Sequence, residues 1–258
     1  MEICVLGSGS SGNCTYVEAD GTRILIDTGV RYKYTVDRLK QLDATIESID
    51  GVLFTHDHSD HREIADILRR RHALPFYANE GTAIAIEVAF KSDGFAWNIF
   101  ENGSSFSVGN LIVEPFSVPH DAADPVGFVI SNGNVRLGVI TDLGVVTPLV
   151  ESKLLNCDVL ILEVNYDPEM LIQSDRWHKV NTRTGGASGH LSNEDAADLL
   201  ERVLCPQLRT VFLVHLSSEC NTPFLAESAL RGVLKKAGRE DIQLVQTYAN
   251  RMSERIEI

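Results

Sequence analysis

The stretch Thr55-His56-Asp57-His58-Ser59-Asp60-His61 decides the fold of this chain of 258 residues. It holds four potential metal ligands within six residues, namely His56, His58, Asp60 and His61. Imidazole nitrogen and carboxylate oxygen are the donors expected of a zinc-like divalent site without thiolates. An apolar strand is predicted just before the stretch and a helix just after it, which is the setting that such a motif needs. This setting favours a metal site over a solvated loop that happens to be rich in histidine.

The pattern of strands and helices outside this stretch predicts an α/β fold. Strands are predicted at Ile3–Leu6, Thr15–Glu18, Arg23–Asp27, Gly51–Thr55, Pro75–Ala78, Val159–Leu162, Thr210–Val214, Gln243–Thr247 and Glu254–Ile258, with a strand-rich pattern over Ile99–Thr141. Helices are predicted at Tyr34–Leu42 and from about Asp60, Glu80, Ser192 and Thr222. In the last helix, the apolar residues Leu225, Ala229 and Val233 recur every four residues, as expected of a helix. Two sheets packed together and covered by helices form a four-layer αββα sandwich.

Composition is typical of one domain over residues 1–258. Hydrophobic residues make up 44% of the chain, and we find no linker, repeat or low-complexity segment. The formal net charge of −13 argues against binding nucleic acid by broad electrostatic attraction, which depends on lysine and arginine. It does not exclude a nuclease, because metal ions and a local basic segment can supply positive charge where it is needed.

The cysteines and the N-terminus predict a reducing cytoplasm as the location. Five cysteines are scattered without a C-x-x-C pair, at Cys4, Cys14, Cys157, Cys205 and Cys220. An odd, scattered set indicates buried free thiols and no disulfide framework. The first residues lack the basic segment of a signal peptide, and no window approaches the roughly 18–20 apolar residues of a membrane span.

The pattern H-x-H-x-D-H resembles the signature of the metallo-β-lactamase superfamily. Further positions follow in the order that the superfamily has: Asp27 at the end of an early strand, His120 after a later strand, Asp142 in Ile140-Thr141-Asp142, and His215 after a strand near the C-terminus. The resemblance spans residues 27 to 215 and implies the metallo-β-lactamase fold.

The resemblance also implies two divalent metal ions and assigns their ligands. One ion would take His56, His58 and His120, the other would take Asp60, His61 and His215, and Asp142 would bridge the two. Asp27 would orient the ligands from behind, and Asp27 and Asp60 are counted among the catalytic residues. Zinc is the default for these donors, and manganese or iron fits the same set. Taken alone, His120 would as readily be a core or capping histidine.

Two such ions would hold a bridging water and present hydroxide to an electrophile, a chemistry that suits β-lactams, lactones, thioesters and phosphodiesters. Asp142 favours phosphodiesters, because a carboxylate bridge without a cysteine is unlike the drug-hydrolysing lactamases. Glu163 at a strand end and His190 before a helix also favour them, since they resemble the proton-donating pair of ribonuclease Z and its relatives. His190 would then be the general acid, oriented by Glu163. The alternative for His190 is a neighbour of a helix cap without a chemical role.

A cationic segment before His190 is a candidate phosphate clamp. Residues 176–193 contain no acidic side chain and carry the candidate substrate-binding residues Arg176, His178, Lys179 and Arg183. An ordinary solvated loop is an equally good interpretation of this segment taken alone. His72, which follows three arginines, is predicted to be a solvated surface residue.

Three further blocks narrow the resemblance, at Gly7–Cys14, His120–Gly127 and Gly189–Ala196. They look like the YycJ/WalJ-type single-domain proteins, a branch associated with 5′-to-3′ exonuclease activity on DNA. One departure is Tyr166, where that branch usually has a histidine. The chain also lacks the added β-CASP domain of larger relatives. Substrate capture would therefore rest on short loops or on the second subunit of a homodimer.

Three functions follow from these patterns. The main hypothesis is a dinuclear-metal phosphodiesterase acting on nucleic acid, an exonuclease with DNA favoured over RNA and no membrane partner. The second is a small-molecule phosphodiesterase or an ester or thioester hydrolase of the same fold, which the net charge of −13 keeps open. The third is a non-catalytic sensor or partner protein, against which the complete set of ligands speaks.

Overall fold

The computed structural model describes residues 1–174 and 185–258. The strands are β1 Glu2–Gly7, β2 Cys14–Ala19, β3 Thr22–Ile26, β4 Gly51–Leu53, β5 Phe76–Ala78, β6 Trp97–Ile99, β7 Phe106–Val108, β8 Leu111–Ser117, β9 Val126–Ser131, β10 Arg136–Ile140, β11 Val159–Glu163, β12 Thr210–Val214, β13 Gln243–Gln246 and β14 Ile256–Glu257. The helices are α1 Tyr32–Gln41, α2 Ser59–Arg62, α3 Ala65–Arg71, α4 Glu80–Phe90, α5 Pro148–Leu154, α6 Pro168–Gln173, α7 Asn193–Val203 and α8 Pro223–Lys236, with a 3-10 turn at Ile46–Ser48.

These elements divide into two compact units. The first unit comprises Met1–Pro115, Ala122–Val126 and Tyr248–Ile258, and the second comprises Phe116–Asp121 and Gly127–Thr247. Each unit has its own hydrophobic core and its own share of the predicted site residues.

The first unit contains a seven-stranded mixed sheet with the order β14-β1-β2-β3-β4-β5-β6. Antiparallel pairing joins β14, β1, β2 and β3, whereas β3, β4, β5 and β6 are parallel. Apolar side chains of α1, α3 and α4 pack on this sheet in one cluster, which includes Leu39, Leu68 and Ile86. Because β3 and β4 are parallel, Asp27 and the histidine motif leave the sheet at the same edge.

The second unit carries most of a second seven-stranded sheet, with the order β13-β12-β11-β10-β9-β8-β7. Its strands β10, β11, β12 and β13 are parallel, with β13 at the edge of the sheet. Both faces of β11 and β12 are buried, as expected for central parallel strands. Leu154 of α5, Leu200 of α7 and Leu230 of α8 belong to the core cluster of this sheet.

Most predicted elements are confirmed to within two residues, and β12 is confirmed at both ends. The helix expected from Asp60 is wrong in one respect, because the chain forms two helices, α2 and α3, that are separated at Glu63 and Ile64. The helix predicted from Thr222 is confirmed as α8. Of its apolar positions, Val233 is buried together with Ala226, Leu230 and Leu234, whereas Leu225 and Ala229 are half-buried.

All five cysteines are buried and free, which confirms the prediction that they form no disulfide. In the part of the chain that the structure describes, no helix combines the length and the apolar character that a membrane crossing requires.

The loop between β1 and β2 fits tightly against the turn after β3. Gly12 has a φ of +148°, and a Cβ atom there would lie 2.2 Å from the Gly29 carbonyl oxygen. A Cβ atom at Gly29 would lie 1.6 Å from the Asp60 carbonyl oxygen. Asn13 lies between them, since its backbone N–H donates to Asp60 O at 2.8 Å and its carbonyl accepts from Gly29 N at 2.8 Å. Only glycine permits this close approach of three backbone segments.

We therefore expect Gly29→Ala to lower the free energy of unfolding by at least about 3 kcal/mol, because no neighbouring backbone atom can move aside without breaking these hydrogen bonds. Urea denaturation followed by circular dichroism measures the change. The matched control is Gly232→Ala on α8, where no atom lies within 4 Å of the added Cβ. This control should gain about 0.5–1 kcal/mol from helix propensity. Equal stability of the two variants would contradict the packing described for Gly29.

Candidate functional site

The histidine motif in the first unit forms a compact group of potential ligands. It follows β4, and its second half forms α2. His56 and His61 are buried, whereas His58 and Asp60 are half-buried. The His56 ring lies 4.6 Å from the His58 ring and 4.1 Å from the His61 ring, measured between centroids. The motif thus brings all four predicted ligands of this unit to the end of one strand.

Asp27 holds this group from behind. Its carboxylate accepts hydrogen bonds from Thr55 N at 2.9 Å and from Thr55 Oγ1 at 2.8 Å, and lies 2.8 Å from His61 Nδ1. A carboxylate only accepts, so Nδ1 of His61 carries the hydrogen and Nε2 is the nitrogen that can face a ligand. Metal-binding histidines commonly donate their second N–H to a carboxylate or carbonyl in this way. Asp27 therefore fixes the orientation of the His61 ring.

Sequence analysis missed Asn13, which is a neighbour of the predicted ligands Asp60 and His61. The side chain is buried, and its Nδ2 lies 3.4 Å from Asp60 Oδ2 and 3.0 Å from His61 Nε2. Its Oδ1 accepts from Gly9 N at 2.9 Å, which anchors it to its own loop. Asn13 belongs to the run of small residues Gly7–Cys14, which is evident in the sequence. Nothing in the spacing of that run indicates that Asn13 contacts the histidine motif.

The second unit brings together the other predicted residues at the carboxyl ends of parallel strands. Asp142 follows β10, Glu163 ends β11 and His215 follows β12, while His190 precedes α7. Ligand atoms of these four side chains all lie within 4.8 Å of one another. The carboxyl edge of a parallel sheet is where α/β proteins commonly place their sites.

Glu163 is the centre of this second group. Its carboxylate is fully buried; Oε1 lies 2.7 Å from His190 Nδ1 and 3.0 Å from His215 Nδ1. Its Oε2 accepts from Leu143 N at 2.8 Å and from Leu191 N at 3.2 Å. Glu163 thus orients two imidazoles at once through their Nδ1 atoms.

Glu163 and His190 form a charged pair. Burial opposes ionisation of Glu163, but the charge and hydrogen bond of His190 outweigh it and hold the pKa of Glu163 below its ordinary value. Burial likewise lowers the pKa of His190, but the charge and hydrogen bond of Glu163 outweigh it, so the net pKa is raised. The pair therefore stabilises the metal-free fold between these two pKa values. Its contribution is lost as pH falls through the lowered pKa of Glu163 or rises through the raised pKa of His190.

His120 also lies in the second unit, close to Asp142. Its Nδ1 lies 2.9 Å from the Gly189 carbonyl oxygen and therefore carries the hydrogen. Its Nε2 lies 3.6 Å from Asp142 Oδ1 and 3.4 Å from Asp121 Oδ1. Burial lowers the pKa of His120, which keeps the imidazole neutral as a metal ligand must be.

The donor sets of both units fit divalent metal ions. His61, His120 and His215 each have Nδ1 on a carboxylate or carbonyl oxygen, the arrangement that prepares Nε2 for a metal. Nitrogen and carboxylate oxygen without thiolate suit zinc, manganese or iron.

A network of buried asparagines supports His215. Asn165 donates to the His215 carbonyl oxygen at 2.7 Å, and His215 has a φ of +57°. Asn221 donates to the carbonyl oxygens of Val164 at 3.0 Å and of Asn165 at 3.1 Å, and pairs with the Asn193 side chain at 2.8 Å. All three asparagines are buried. Sequence analysis missed this network, because its partners are backbone groups far apart in the chain.

Two other predictions concern His72 and the substrate-binding residues. The prediction that His72 is a solvated surface residue is wrong, because its side chain is only 12% exposed and lies 2.9 Å from Tyr32 OH and 3.1 Å from Glu47 Oε1. The predicted substrate-binding residues lie outside the described residues, namely Arg176, His178, Lys179 and Arg183.

Comparison with known proteins identifies the family to which this chain belongs. Residues 22–216 match a family model described as a β-lactamase superfamily domain. The chain belongs to the metallo-β-lactamase superfamily. This membership confirms the resemblance found in the sequence and makes the chain a metal-dependent hydrolase.

Two relatives in this superfamily resemble the chain over nearly its whole length. YycJ of Bacillus anthracis, an exodeoxyribonuclease, is 35% identical over 239 residues, which cover 92% of this chain and 90% of the relative. WalJ of Streptococcus pneumoniae, also an exodeoxyribonuclease, is 33% identical over 240 residues, which cover 92% of this chain and 89% of the relative. These matches confirm the predicted nuclease branch of the metallo-β-lactamase superfamily.

Solved structures confirm the predicted metallo-β-lactamase fold. YhfI of Bacillus subtilis, a metallo-β-lactamase fold protein, has a TM-score of 0.75 at 15% identity and covers 98% of this chain and 99% of its own. Zn²⁺-bound PqqB of Methylobacterium extorquens has a TM-score of 0.73 at 19% identity, with full coverage of both chains.

The charged pair predicts a change in the titration of His190. Glu163→Gln removes the charge that raises the pKa of His190, whereas burial, which lowers it, remains. We expect His190 to lose its proton at a lower pH in the metal-free variant than in the metal-free wild type. NMR titration of the imidazole protons measures this. Glu169→Gln, on the exposed side of α6, should leave the titration unchanged, and an equal shift in both variants would contradict the assignment.

The asparagine network predicts a large stability effect. Asn221→Ala leaves the Asn193 amide and two carbonyl groups buried without their partner, so we expect a loss of about 2–4 kcal/mol of unfolding free energy. Asn134→Ala, in an exposed turn, should change it by less than about 0.5 kcal/mol. Chemical denaturation of the two variants side by side gives the comparison. Similar small losses in both would mean that the network does not hold the site.

Proposed function

We propose that this metallo-β-lactamase superfamily protein is a dinuclear-metal phosphodiesterase that degrades DNA as a 5′-to-3′ exonuclease. The observation that carries the proposal is the Glu163–His190 pair, with Nδ1 and Oε1 2.7 Å apart beside Asp142. A protonated imidazole in this position suits proton donation to the leaving oxygen of a phosphodiester. The names of the relatives YycJ and WalJ support DNA as the substrate.

The metal ligands follow the motif of the superfamily. In this proposal one ion is held by His56, His58 and His120, the other by Asp60, His61 and His215, and Asp142 contributes to both. When bound, the ions supply an activated water and stabilise the charge that develops on the phosphate. Zinc is the proposed metal, with manganese or iron as alternatives for the same donors.

Residues of the chain supply the proton donor and hold the predicted ligands in position. Glu163 keeps His190 oriented and protonated, because its buried carboxylate accepts from Nδ1 and raises the pKa of the ring. The side chain of His190 is 22% exposed, so its Nε2 can reach a substrate. Asp27 fixes the ring of His61, and Asn13 lies against both His61 and Asp60. General acid catalysis by a residue so placed typically contributes 10²- to 10⁴-fold in rate.

A second candidate function is hydrolysis of a small phosphodiester. The net charge of −13 favours it, because long polyanions are repelled by an acidic chain. The five free thiols favour a reducing cytoplasm as the location for either function.

The nuclease proposal is tested with end-labelled DNA and RNA oligonucleotides and metal-reconstituted protein. We expect stepwise shortening of DNA from the 5′ end. Asp142→Ala should lose bound metal and activity together, whereas His190→Ala should keep its metal and lose at least about 100-fold in rate. Gel analysis gives the rates, and elemental analysis by mass spectrometry gives the metal content.

Asp198→Ala, an exposed acidic residue on α7, is the control and should match the wild type in both measurements. Hydrolysis of bis-p-nitrophenyl phosphate without cleavage of any oligonucleotide would establish the small-molecule alternative. Stoichiometric metal without hydrolysis of either substrate would overturn both functions.

A further inference from the structure

Helix α4 has apolar residues on every side, including the side that faces solvent. Between Gly81 and Phe90 only Thr82 and Glu87 are polar. A helix on the surface of a globular protein normally combines a buried apolar face with an exposed polar one. Helix α7 follows that pattern, since all its exposed positions carry charged residues. In contrast, α4 lacks the polar face with which a surface helix meets water.

The exposed side of α4 carries four residues in one line. Ile84 is 55% exposed and Val88 is 71% exposed. Glu80 and Lys91 are also exposed, and they are the first residue and the C-cap residue of the helix. Residues three or four apart are neighbours on a helix surface, so the spacing 80, 84, 88 and 91 places these side chains along one line. This line of Glu80, Ile84, Val88 and Lys91 is called the α4 stripe below.

The strand β6 adds an exposed apolar residue beside this helix. It is the edge strand of the first sheet. Trp97 Nε1 donates to Glu87 Oε1 of α4 at 3.1 Å, so Trp97 lies on the α4 side of the sheet. Ile99 follows two residues later in the strand, so it lies on the same side, and it is 54% exposed. Helix α4 and strand β6 thus expose three branched aliphatic side chains on one side of the first unit.

The α4 stripe is complementary to its own reverse. When a second copy of α4 lies against the first with its axis reversed, Ile84 faces Val88 of the partner subunit, and Glu80 faces Lys91 of the partner subunit. Positions 84 and 88 have their midpoint at 86, and positions 80 and 91 have theirs at 85.5, so one twofold axis generates both contacts twice. Among residues 1–174 and 185–258, neither Glu80 nor Lys91 has an ion-pair partner within its own chain. Both charges are therefore available for this contact.

We propose that the α4 stripe is the contact surface of a homodimer, in which two copies of α4 pack antiparallel across a twofold axis. Apolar side chains then lie at the centre of the interface and charged ones at its rim, as is usual for protein interfaces. A different protein would not require the stripe to match its own reverse. A lipid surface is disfavoured, because helices that bind lipid carry cations beside the apolar face, whereas α4 carries Glu80 and Glu87 there. The inference does not depend on the proposed nuclease function.

The test is sedimentation velocity of the full chain at concentrations from about 1 to about 100 µM. We expect a dimer with a micromolar Kd, because an interface built on one helix and one edge strand is small. Ile84→Gln/Val88→Gln should raise Kd at least about 30-fold, since it removes the apolar centre of the contact. The matched control is Ile112→Gln on β8 of the second sheet, where the isoleucine is 53% exposed, and it should leave Kd unchanged.

Charge exchange tests the antiparallel arrangement. Glu80→Lys and Lys91→Glu should each raise Kd about tenfold at low salt, because each turns two attractive pairs into two repulsive ones. Glu80→Lys/Lys91→Glu should restore the wild-type Kd, since opposite charges meet again. An equimolar mixture of the two single variants should form a heterodimer with the wild-type Kd for the same reason. Glutamine favours helix more than isoleucine or valine does, so Ile84→Gln/Val88→Gln should keep the Tm of the monomer, which separates lost association from unfolding.

Three outcomes would overturn the inference. The first is a monomer at every concentration, which would leave the α4 stripe to a different protein. The second is a dimer whose Kd is the same in Ile84→Gln/Val88→Gln as in the wild type, which would place the contact elsewhere. The third is failure of both the double charge exchange and the mixture to restore association, which would exclude the antiparallel pairing of Glu80 with Lys91.

Discussion

The hydrogen bonds to the buried Glu163 carboxylate organise the site of the second unit. One oxygen holds His190 and His215, and the other accepts from the backbone of Leu143 and Leu191. A buried carboxylate is costly unless its charge is matched, so each of these partners is needed for the others to stay in place. The ends of β10, β11 and β12 and the start of α7 are thereby tied to a single side chain.

Several residues around both ligand groups have a backbone conformation that L-amino acids rarely adopt. Asp27, Asp142 and His215 have φ values of 61°, 55° and 57°, and each follows directly or closely on a strand. This conformation turns a side chain sharply away from the strand direction and costs free energy in a non-glycine residue. Hydrogen bonds from Thr55 to Asp27 and from Asn165 to His215 offset that cost. The position of each side chain is thus maintained by residues that would not themselves touch substrate.

The sequence predicted the local parts of this structure well and the non-local parts poorly. The histidine motif and β12 could be predicted, because apolar strands are evident in the sequence there. The Glu163–His190 pair was predicted from the resemblance to ribonuclease Z and its relatives. Asn13 and Asn221 could not be predicted, since their partners are brought close only by the tertiary fold. Asn13 lies against the Asp60 and His61 side chains, and Asn221 donates to backbone carbonyl groups. Helix periodicity also does not decide which apolar residues of α8 are fully buried, since Ala226 and Leu230 are buried whereas Leu225 and Ala229 are half-buried.

The buried thiols have a practical consequence for studying the motions of this enzyme. Burial raises the pKa of Cys4 and of Cys157 to about 11, so a folded molecule presents almost no thiolate to an alkylating reagent. Cys4 lies on β1 of the first unit and Cys157 lies just before β11 of the second. Each unit therefore carries an internal reporter whose modification rate measures how often that unit opens, without any engineered label.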